Sequence, residues 1–449
     1  MRTIRLHDAA TARLAVLEPR DAGRVGIYAC GPTVYDRIHV GNARPYVVFS
    51  LLKRFLEHEG YGVTLVANIT DVNDKIYAAA RERGVPSTQL AAEMTAAYVA
   101  DTDALGLGRP DHEPLASATI PGIVSLIAAL LERGAAYMVE GDVYFRVRFD
   151  ALYGRLSGRR VDEMDQGEGI EGSALKEDPL DFALWKAEKP GEDTAWDAPW
   201  GRGRPGWHIE CSAMAEALLG LGFDIHGGGI DLAFPHHENE AAQTRCGRGA
   251  ELARIWMHNG MLQTGGEKMA KSVGNIARLP EVLGRYDRDT LVTFFNQGHY
   301  RQPLQFDEST MAAAAGRVRR IREAGRRLTD GPSPEWSEDL EERFWADLAE
   351  DFNTPAALAT VAEWVNQANR ADGPVGRDGL AEMLRVLGLE GLALSGDRPP
   401  EAVYELARAR AAARKDADWA ASDRLRDEIA DAGWSIRDGP EGPELVRVR

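Results

Sequence analysis

The chain has 449 residues, of which 44% are apolar and 27% charged, and its formal net charge is −17. That composition describes a globular chain of about three domains and excludes a disordered or fibrous one. The acidic balance argues against indiscriminate nucleic-acid binding but leaves room for a local basic face.

The first clear unit is strand, turn, helix, strand. "RVGIYAC" (24–30) is a short β-rich run, followed by turn residues in "GPTVYDRIHVGN". "ARPYVVFSLLKRFLEHEG" then places Val48, Leu51, Leu52, Phe55 and Leu56 at helical spacing, with Gly60 as the stop, and "YGVTLVANITD" (61–71) is a second strand. This order predicts a parallel sheet with a right-handed crossover, the opening of a Rossmann-like α/β fold. Residues 111–200 interrupt it as an inserted α+β segment: a helix, "IPGIVSLIAALLERG", then a β-hairpin in "AYMVEGDVYFRV" turning at Glu140-Gly141-Asp142. The α/β pattern resumes over 201–265 with a helix in "HIECSAMAEALLG" and strands in "FDIHGGG" and "ARIWMHNGML" (253–262). "QTGGEKMAKSVGN" (263–275) is predicted to be a glycine-hinged loop. Residues 266–315 follow as a connecting region, 316–394 as a helical bundle, and 395–449 as a compact helical tail. The expected architecture is therefore a Rossmann-like parallel-sheet α/β domain spanning 1–110 and 201–265, with a mostly α-helical C-terminal half.

The three cysteines, Cys30, Cys211 and Cys246, are too few for a disulfide framework and suit a reducing, cytoplasmic setting. The longest apolar run, 123–131, is far short of the ~20 residues that span a bilayer, so no membrane partner is expected. The first twenty-one residues carry no apolar core of the signal-peptide kind.

"FPHHENEAAQ" places His236 and Glu240 four residues apart, on one face of a helix, with His237 and Glu238 pointing elsewhere. A nitrogen and an oxygen ligand are half of a tetrahedral zinc site, and Cys30 and Cys211 are candidates for the other half, at the carboxyl ends of the sheet. Spacing alone leaves open a second reading, in which the glutamates complement the helix dipole and the histidines are hydrogen-bonded. Cys246 has no partner motif.

"HVGN" (39–42) lies where the first strand's loop becomes a helix, a place where N–H groups and the positive dipole end gather for an anion. His39 and Asn42 are donors there, and Gly41 permits close approach of a nucleotide. "KMAKS" (268–272) carries Lys268 and Lys271 behind Gly265 and Gly266, two cations suited to charge developing on a triphosphate.

These two motifs resemble the signatures of class I aminoacyl-tRNA synthetases. "YACGPTVYD", "NITDVNDKI", "GWHIECSAM", "GGGIDLAFPHHENE", "WMHNGML" and "KMAKSVGN" are similar to those of cysteinyl-tRNA synthetases in particular. The resemblance implies a cysteine–tRNA ligase that joins L-cysteine to tRNA(Cys) through a cysteinyl-adenylate made from Mg-ATP. It implies one zinc held by Cys30, Cys211, His236 and Glu240, with His237 and Glu238 as orienting or capping residues. Trp207 would wall the side-chain pocket, Thr70 and Asp231 would hold the ammonium group, and the backbone of Gly260 and Met261 would meet the adenine. His39, Gly41, Asn42 and Lys271 would bind ATP, with Lys268 joining His39, Asn42 and Lys271 in catalysis.

A monomer is expected, and the last fifty residues would read the anticodon. Basic clusters at 317–327 and 408–415 are candidates for the tRNA face. Departures from the class pattern are Val40 and Asn42 for isoleucine and a second histidine, Ala270 for serine, and Asn73 for the usual aspartate. The alternatives are a cysteine:amino-sugar ligase of thiol biosynthesis and an HxGH-type nucleotidyltransferase.

Overall fold

The computed structural model describes residues 2–164, 173–265, 267–268, 277–393, 401–415, 418–439 and 442–447. The chain begins with a hairpin, β1 (Arg5–Asp8) and β2 (Arg13–Val16), and then enters the expected unit: β3 (Arg24–Ala29), α1 (Val40–His58) and β4 (Gly62–Ala67). Two further helices, α2 (Asp74–Arg83) and α3 (Ser87–Asp103), precede α4 (Ile120–Glu132). Neither α2 nor α3 is legible as a periodic stripe, because their small and polar residues dilute the apolar face. An antiparallel sheet follows, of β5 (Ala136–Val139), β6 (Asp142–Phe145), β7 (Phe182–Ala187) and β8 (Gly203–Pro205). The β5–β6 turn is Glu140-Gly141, both at positive φ (53° and 88°), as a two-residue primed turn requires, and Asp142 already belongs to the strand.

The α/β pattern resumes with α5 (Trp207–Leu219), β9 (Phe223–Gly229), α6 (Glu238–Arg248) and β10 (Ala253–Asn259). The order of the central sheet is β10-β9-β3-β4, and all its pairings are parallel, with Ile27 opposite both Leu65 and Ile225. Helix α1 crosses from β3 to β4 and buries Val48, Leu51, Leu52, Phe55 and Leu56, each worth roughly 1.5–3 kcal/mol. Close packing here depends on glycine. A Cβ on Gly227 would lie 1.9 Å from the Phe49 ring, so the glycine run of β9 is what lets α1 lie against the sheet. A second core joins Ile123, Leu126 and Ile127 of α4 to Ile209, Ala213 and Ala242 of α5 and α6, so the helix of the inserted segment packs on the catalytic domain.

Two sequence expectations need correction. The strand predicted over 253–262 ends at Asn259, and a new strand, β11 (Leu262–Thr264), starts after a turn at Gly260-Met261. No side chain fits at 260, where a Cβ would sit 2.4 Å from the Gln302 carbonyl oxygen. The loop predicted over 263–275 begins as a hairpin, with β12 (Glu267–Lys268) antiparallel to β11, and 269–276 lie outside the described residues.

The C-terminal half is helical as expected: α7 (Leu279–Arg285), α8 (Arg288–Asn296), then a short strand β13 (Leu304–Gln305), α9 (Glu308–Gly325), α10 (Glu338–Ala349), α11 (Thr354–Ala368) and α12 (Asp378–Val386). The tail has α13 (Glu401–Lys415) and α14 (Trp419–Asp431). It is not wholly helical, because β14 (Trp434–Gly439) and β15 (Gly442–Arg447) close it as a hairpin. Its apolar cluster, with Val403, Ala407, Ile429 and Trp434, is separate from the main core. Among the described residues no helix is long and apolar enough to cross a membrane.

The helical half is fastened to the sheet domain by Asp351, between α10 and α11. It is buried at a φ of 59°, a conformation costly for an L side chain. Its carboxylate accepts from the His7 N–H (2.9 Å), the Tyr300 hydroxyl (2.7 Å) and Arg301 Nε (2.8 Å). Asp351→Ala should therefore destabilise the protein by about 3 kcal/mol, since it strands a buried hydroxyl and a guanidinium and keeps the strained backbone. Denaturant titration followed by intrinsic fluorescence measures this.

Candidate functional site

Cys30 directly follows β3, Cys211 lies in the second turn of α5, and His236 and Glu240 flank the start of α6, so three elements converge at the carboxyl edge of the sheet. One ligand atom from each of the four lies within 4.8 Å of all the others, and all four residues are buried. His236 Nε2 is 3.1 Å and Cys30 Sγ 3.6 Å from Glu240 Oε1. A tetrahedral site with bonds of 2.0–2.3 Å has edges of about 3.3–3.8 Å, so the donor set fits a metal ion in both spacing and chemistry.

A second group also meets the distance criterion: Cys30, His226, His237 and Glu240. His237 was expected to point elsewhere, yet its Nε2 lies 3.3 Å from Cys30 Sγ and its Nδ1 2.8 Å from His258 Nε2. The backbone before α6 forms a wide turn over Ala233–His237, which swings this ring inward. His226 has Nε2 2.8 Å from Glu240 Oε2 and Nδ1 3.2 Å from the Tyr28 carbonyl oxygen. Both its nitrogens thus face oxygen atoms of other residues. It orients Glu240, while His208, 2.9 Å from His236 Nδ1, orients His236.

The electrostatics agree. Burial alone would raise the Glu240 carboxyl, but His226 and His236 hold it below the usual carboxylate range. Burial, and then the neighbouring histidines, keep His237 well below its ordinary value, and His258 is lowered to about 3 by burial and His226. Burial, then Cys211, pushes the Cys30 thiol up. A bound cation reverses that order, because a coordinating thiol is deprotonated outright.

A cleft of about 400 Å³ opens beside the cluster and is lined by Cys30, His39, Gly41, Asn42, Trp207, Asp231, Gly260 and Met261 among others. His39 is the N-cap of α1, and its N–H donates to Asn42 Oδ1 at 3.2 Å, which turns the Asn42 side chain into part of the helix cap. A Cβ on Gly41 would meet the His39 ring at 2.9 Å. The Val40 N–H donates to the Ala277 carbonyl at 2.9 Å, joining this helix end to the residue just beyond 269–276. Trp207 stacks on His236 with centroids 4.3 Å apart, and Asp231 is exposed at the cleft's edge.

Thr70 is not among the lining residues. It is buried below the 32–34 loop, and its hydroxyl accepts from Asn68 Nδ2 at 3.2 Å. Asn73 caps α2 through the Lys75 N–H at 3.0 Å, a task that asparagine and aspartate perform alike. Lys268 has its backbone on β12; Lys271, Ala270 and Gly266 lie outside the described residues. Of the basic cluster at 317–327, Arg322 is already paired with Asp287 and Asp289 at 3.1 Å each. Sequence reasoning missed His208, His226 and His258. Their one signal is that each lies near the carboxyl end of a sheet strand or the start of α5.

Residues 16–316 match the family of class I (C) tRNA synthetase catalytic domains, 343–389 match the DALR domain, and 398–443 match the cysteinyl-tRNA ligase anticodon-binding domain. The chain belongs to the cysteinyl-tRNA ligase family. It is 44% identical to the cysteine–tRNA ligase of Alkalilimnicola ehrlichii over 98% of each chain. It is likewise 44% identical to that of Halorhodospira halophila, over 99% of this chain and 100% of the other. Among solved structures, a methionyl-tRNA synthetase of Mycobacterium tuberculosis in complex with methionyl-adenylate superimposes with a TM-score of 0.59 at 16% identity, over 82% of this chain and 88% of that one. A LeuRS–tRNA–LeuAMS ternary complex from Agrobacterium radiobacter gives 0.60 at 12% identity, over 84% and 87%. These likenesses show the class I fold.

The geometry of the cluster depends on Gly31, where a Cβ would lie 1.7 Å from the Asn68 carbonyl oxygen. Gly31→Ala must therefore displace the end of β3 that carries Cys30. Metal affinity should fall about 10–100-fold, as when the support around a ligand is lost. Elemental analysis after dialysis against a graded chelator series checks it.

Proposed function

We infer that this chain is a cysteine–tRNA ligase: it activates L-cysteine with Mg-ATP to cysteinyl-adenylate and transfers the cysteinyl group to the terminal ribose of tRNA(Cys). What carries the reading is that one cleft is lined both by the α1 N-terminus, with His39, Gly41 and Asn42, and by Cys30 of the two-cysteine, one-histidine, one-glutamate cluster. Catalytic halves at 1–110 and 201–265, a connective segment at 111–200, a stem-contact region at 266–315, a bundle at 316–394 and an anticodon-binding tail at 395–449 are the division we propose. A monomer in the cytoplasm goes with it.

In the first step the cysteine carboxylate attacks the α-phosphorus and pyrophosphate leaves; in the second a ribose hydroxyl attacks the adenylate carbonyl and AMP leaves. His39 and Asn42 offer donors at a helix N-terminus, where backbone N–H groups and the dipole favour phosphate. Gly41 keeps that approach open. Lys271, with Lys268, meets the charge that builds as the α-phosphate is attacked. The Gly260-Met261 backbone receives the adenine, Trp207 walls the pocket for a small side chain, and Asp231 holds the ammonium group, without Thr70, which lies off the cleft wall.

We propose zinc as the ion of Cys30, Cys211, His236 and Glu240, because two thiolates with one nitrogen and one oxygen suit zinc over harder cations. When bound, it supplies a soft acceptor for the substrate thiolate. Shape alone separates cysteine from serine poorly, since near-isosteres differ by only about 10–200-fold in such pockets. Selection by such a sulfur-seeking cluster would make a second, editing site unnecessary.

Cysteine-dependent pyrophosphate–ATP exchange, run with cysteine and with serine, tests the reading together with charging of tRNA. Exchange without any charging would favour the amino-sugar acceptor. Cys211→Ser should lower zinc content and erode the preference for cysteine; unchanged discrimination would assign selectivity to shape. Lys271→Ala should slow adenylate formation about a hundredfold or more, with a smaller change in ATP affinity, as lost transition-state donors do. Single-turnover kinetics at varied ATP separates the two effects.

A further inference from the structure

Arg44 lies in the second turn of α1, two residues beyond Asn42, and is 1% exposed. Its guanidinium donates from Nη1 to the Gly260 carbonyl at 2.6 Å and, more weakly, to the Met261 carbonyl at 3.4 Å, and from Nη2 to the His299 carbonyl at 3.1 Å. Among the described residues each partner is a main-chain carbonyl, and none is a carboxylate. Burial lowers its pKa only to about 10, so the group stays charged at neutral pH.

A buried charge without a counter-ion costs several kcal/mol, and a well-packed apolar side chain of similar volume would stabilise the same place better. The position near a helix N-terminus adds to the cost, because that end of the dipole disfavours cations. Stability is therefore a poor account of this arginine. Its geometry gives a better one. Gly260 and Met261 line the cleft together with His39, Gly41 and Asn42, which lie on the helix that carries Arg44. The turn is held from its far side as well, by the Gly260 N–H donating to the Tyr300 carbonyl at 2.7 Å. One planar fork thus joins the helix to both the turn and the 299–302 loop, a task for which a single ammonium is badly shaped.

We propose that Arg44 is a positioning residue that fixes the adenine end of the ATP site against its phosphate end. It lies beneath the cleft floor and does not line it, so it acts through the 260–261 backbone and touches no substrate. This rests on the reading of the cleft as the ATP site. If the turn drifts by about 1 Å, a nucleotide that meets the phosphate donors no longer meets the base platform, and such misplacement costs up to about a hundredfold.

The test uses the full chain with Arg44→Lys and, as the harsher change, Arg44→Met. Cysteine-dependent pyrophosphate exchange is measured with ATP and cysteine varied separately, and the kcat/KM preference for ATP over GTP is measured alongside. For Arg44→Lys, the KM for ATP should rise about tenfold and the ATP preference should fall by a similar factor, while the KM for cysteine stays within about twofold. Should only thermal stability fall, or should both KM values move together with base preference intact, Arg44 is merely structural and the proposal is overturned. Failure of Arg44→Met to fold leaves Arg44→Lys to decide. No cysteine-dependent exchange in the unchanged protein would overturn the ATP-site reading and the Arg44 assignment together; normal exchange there with unaltered variants overturns the Arg44 assignment alone.

Discussion

The buried carboxylate of Glu240 is the point on which the site depends. One oxygen faces His236 Nε2 and Cys30 Sγ, and the other accepts from His226 Nε2. Through it the first strand, the strand beside it and the helix that follows are held in one geometry. A fully buried carboxylate is costly unless its partners are fixed. Here they are fixed by the parallel sheet, which sets β3 and β9 side by side with Tyr28 opposite His226. The same pairing places the carboxyl ends of both strands at one edge, where an open α/β sheet binds its ligands.

From that edge the rest of the cleft follows. Phe49 packs into the space left by Gly227, so α1 lies close to the sheet and its N-terminus reaches the opening. The helix delivers His39 and Asn42 to the cleft and Arg44 to the layer below it. The 299–301 loop, tied to Asp351 in the helical half, then closes the far side of the 260–261 turn. The cleft is thus built from residues of several elements packed on one another.

Much of this was legible in the residues themselves. Helical spacing in 48–56 located α1, and the glycine run, the i,i+4 pair of His236 and Glu240, and the "HVGN" motif pointed to the stretches that the cleft and the cluster bring together. The hairpin turning near Glu140-Gly141 was also visible, because turn chemistry is local, although Asp142 proved to belong to the strand. The alternation of "WSIRDGPEGPELVRV" around a turn was there too, but helical neighbours masked it, and the terminal hairpin was missed.

What the sequence determined by itself is therefore what local chemistry encodes: period, caps, turn residues and donor types. Only the tertiary structure decided which donors meet. His226, His208 and His258 carry no spacing signal toward Glu240, His236 or His237, since strand pairing and helix packing bring them together across the fold. It also decided that Thr70 lies beneath the loop and off the cleft wall, and that the strand after 253 breaks at Gly260. That break is imposed by the backbone of Gln302, forty-two positions away in the chain. A contact between distant backbones leaves no period in either segment, so no reading of one stretch at a time reveals it.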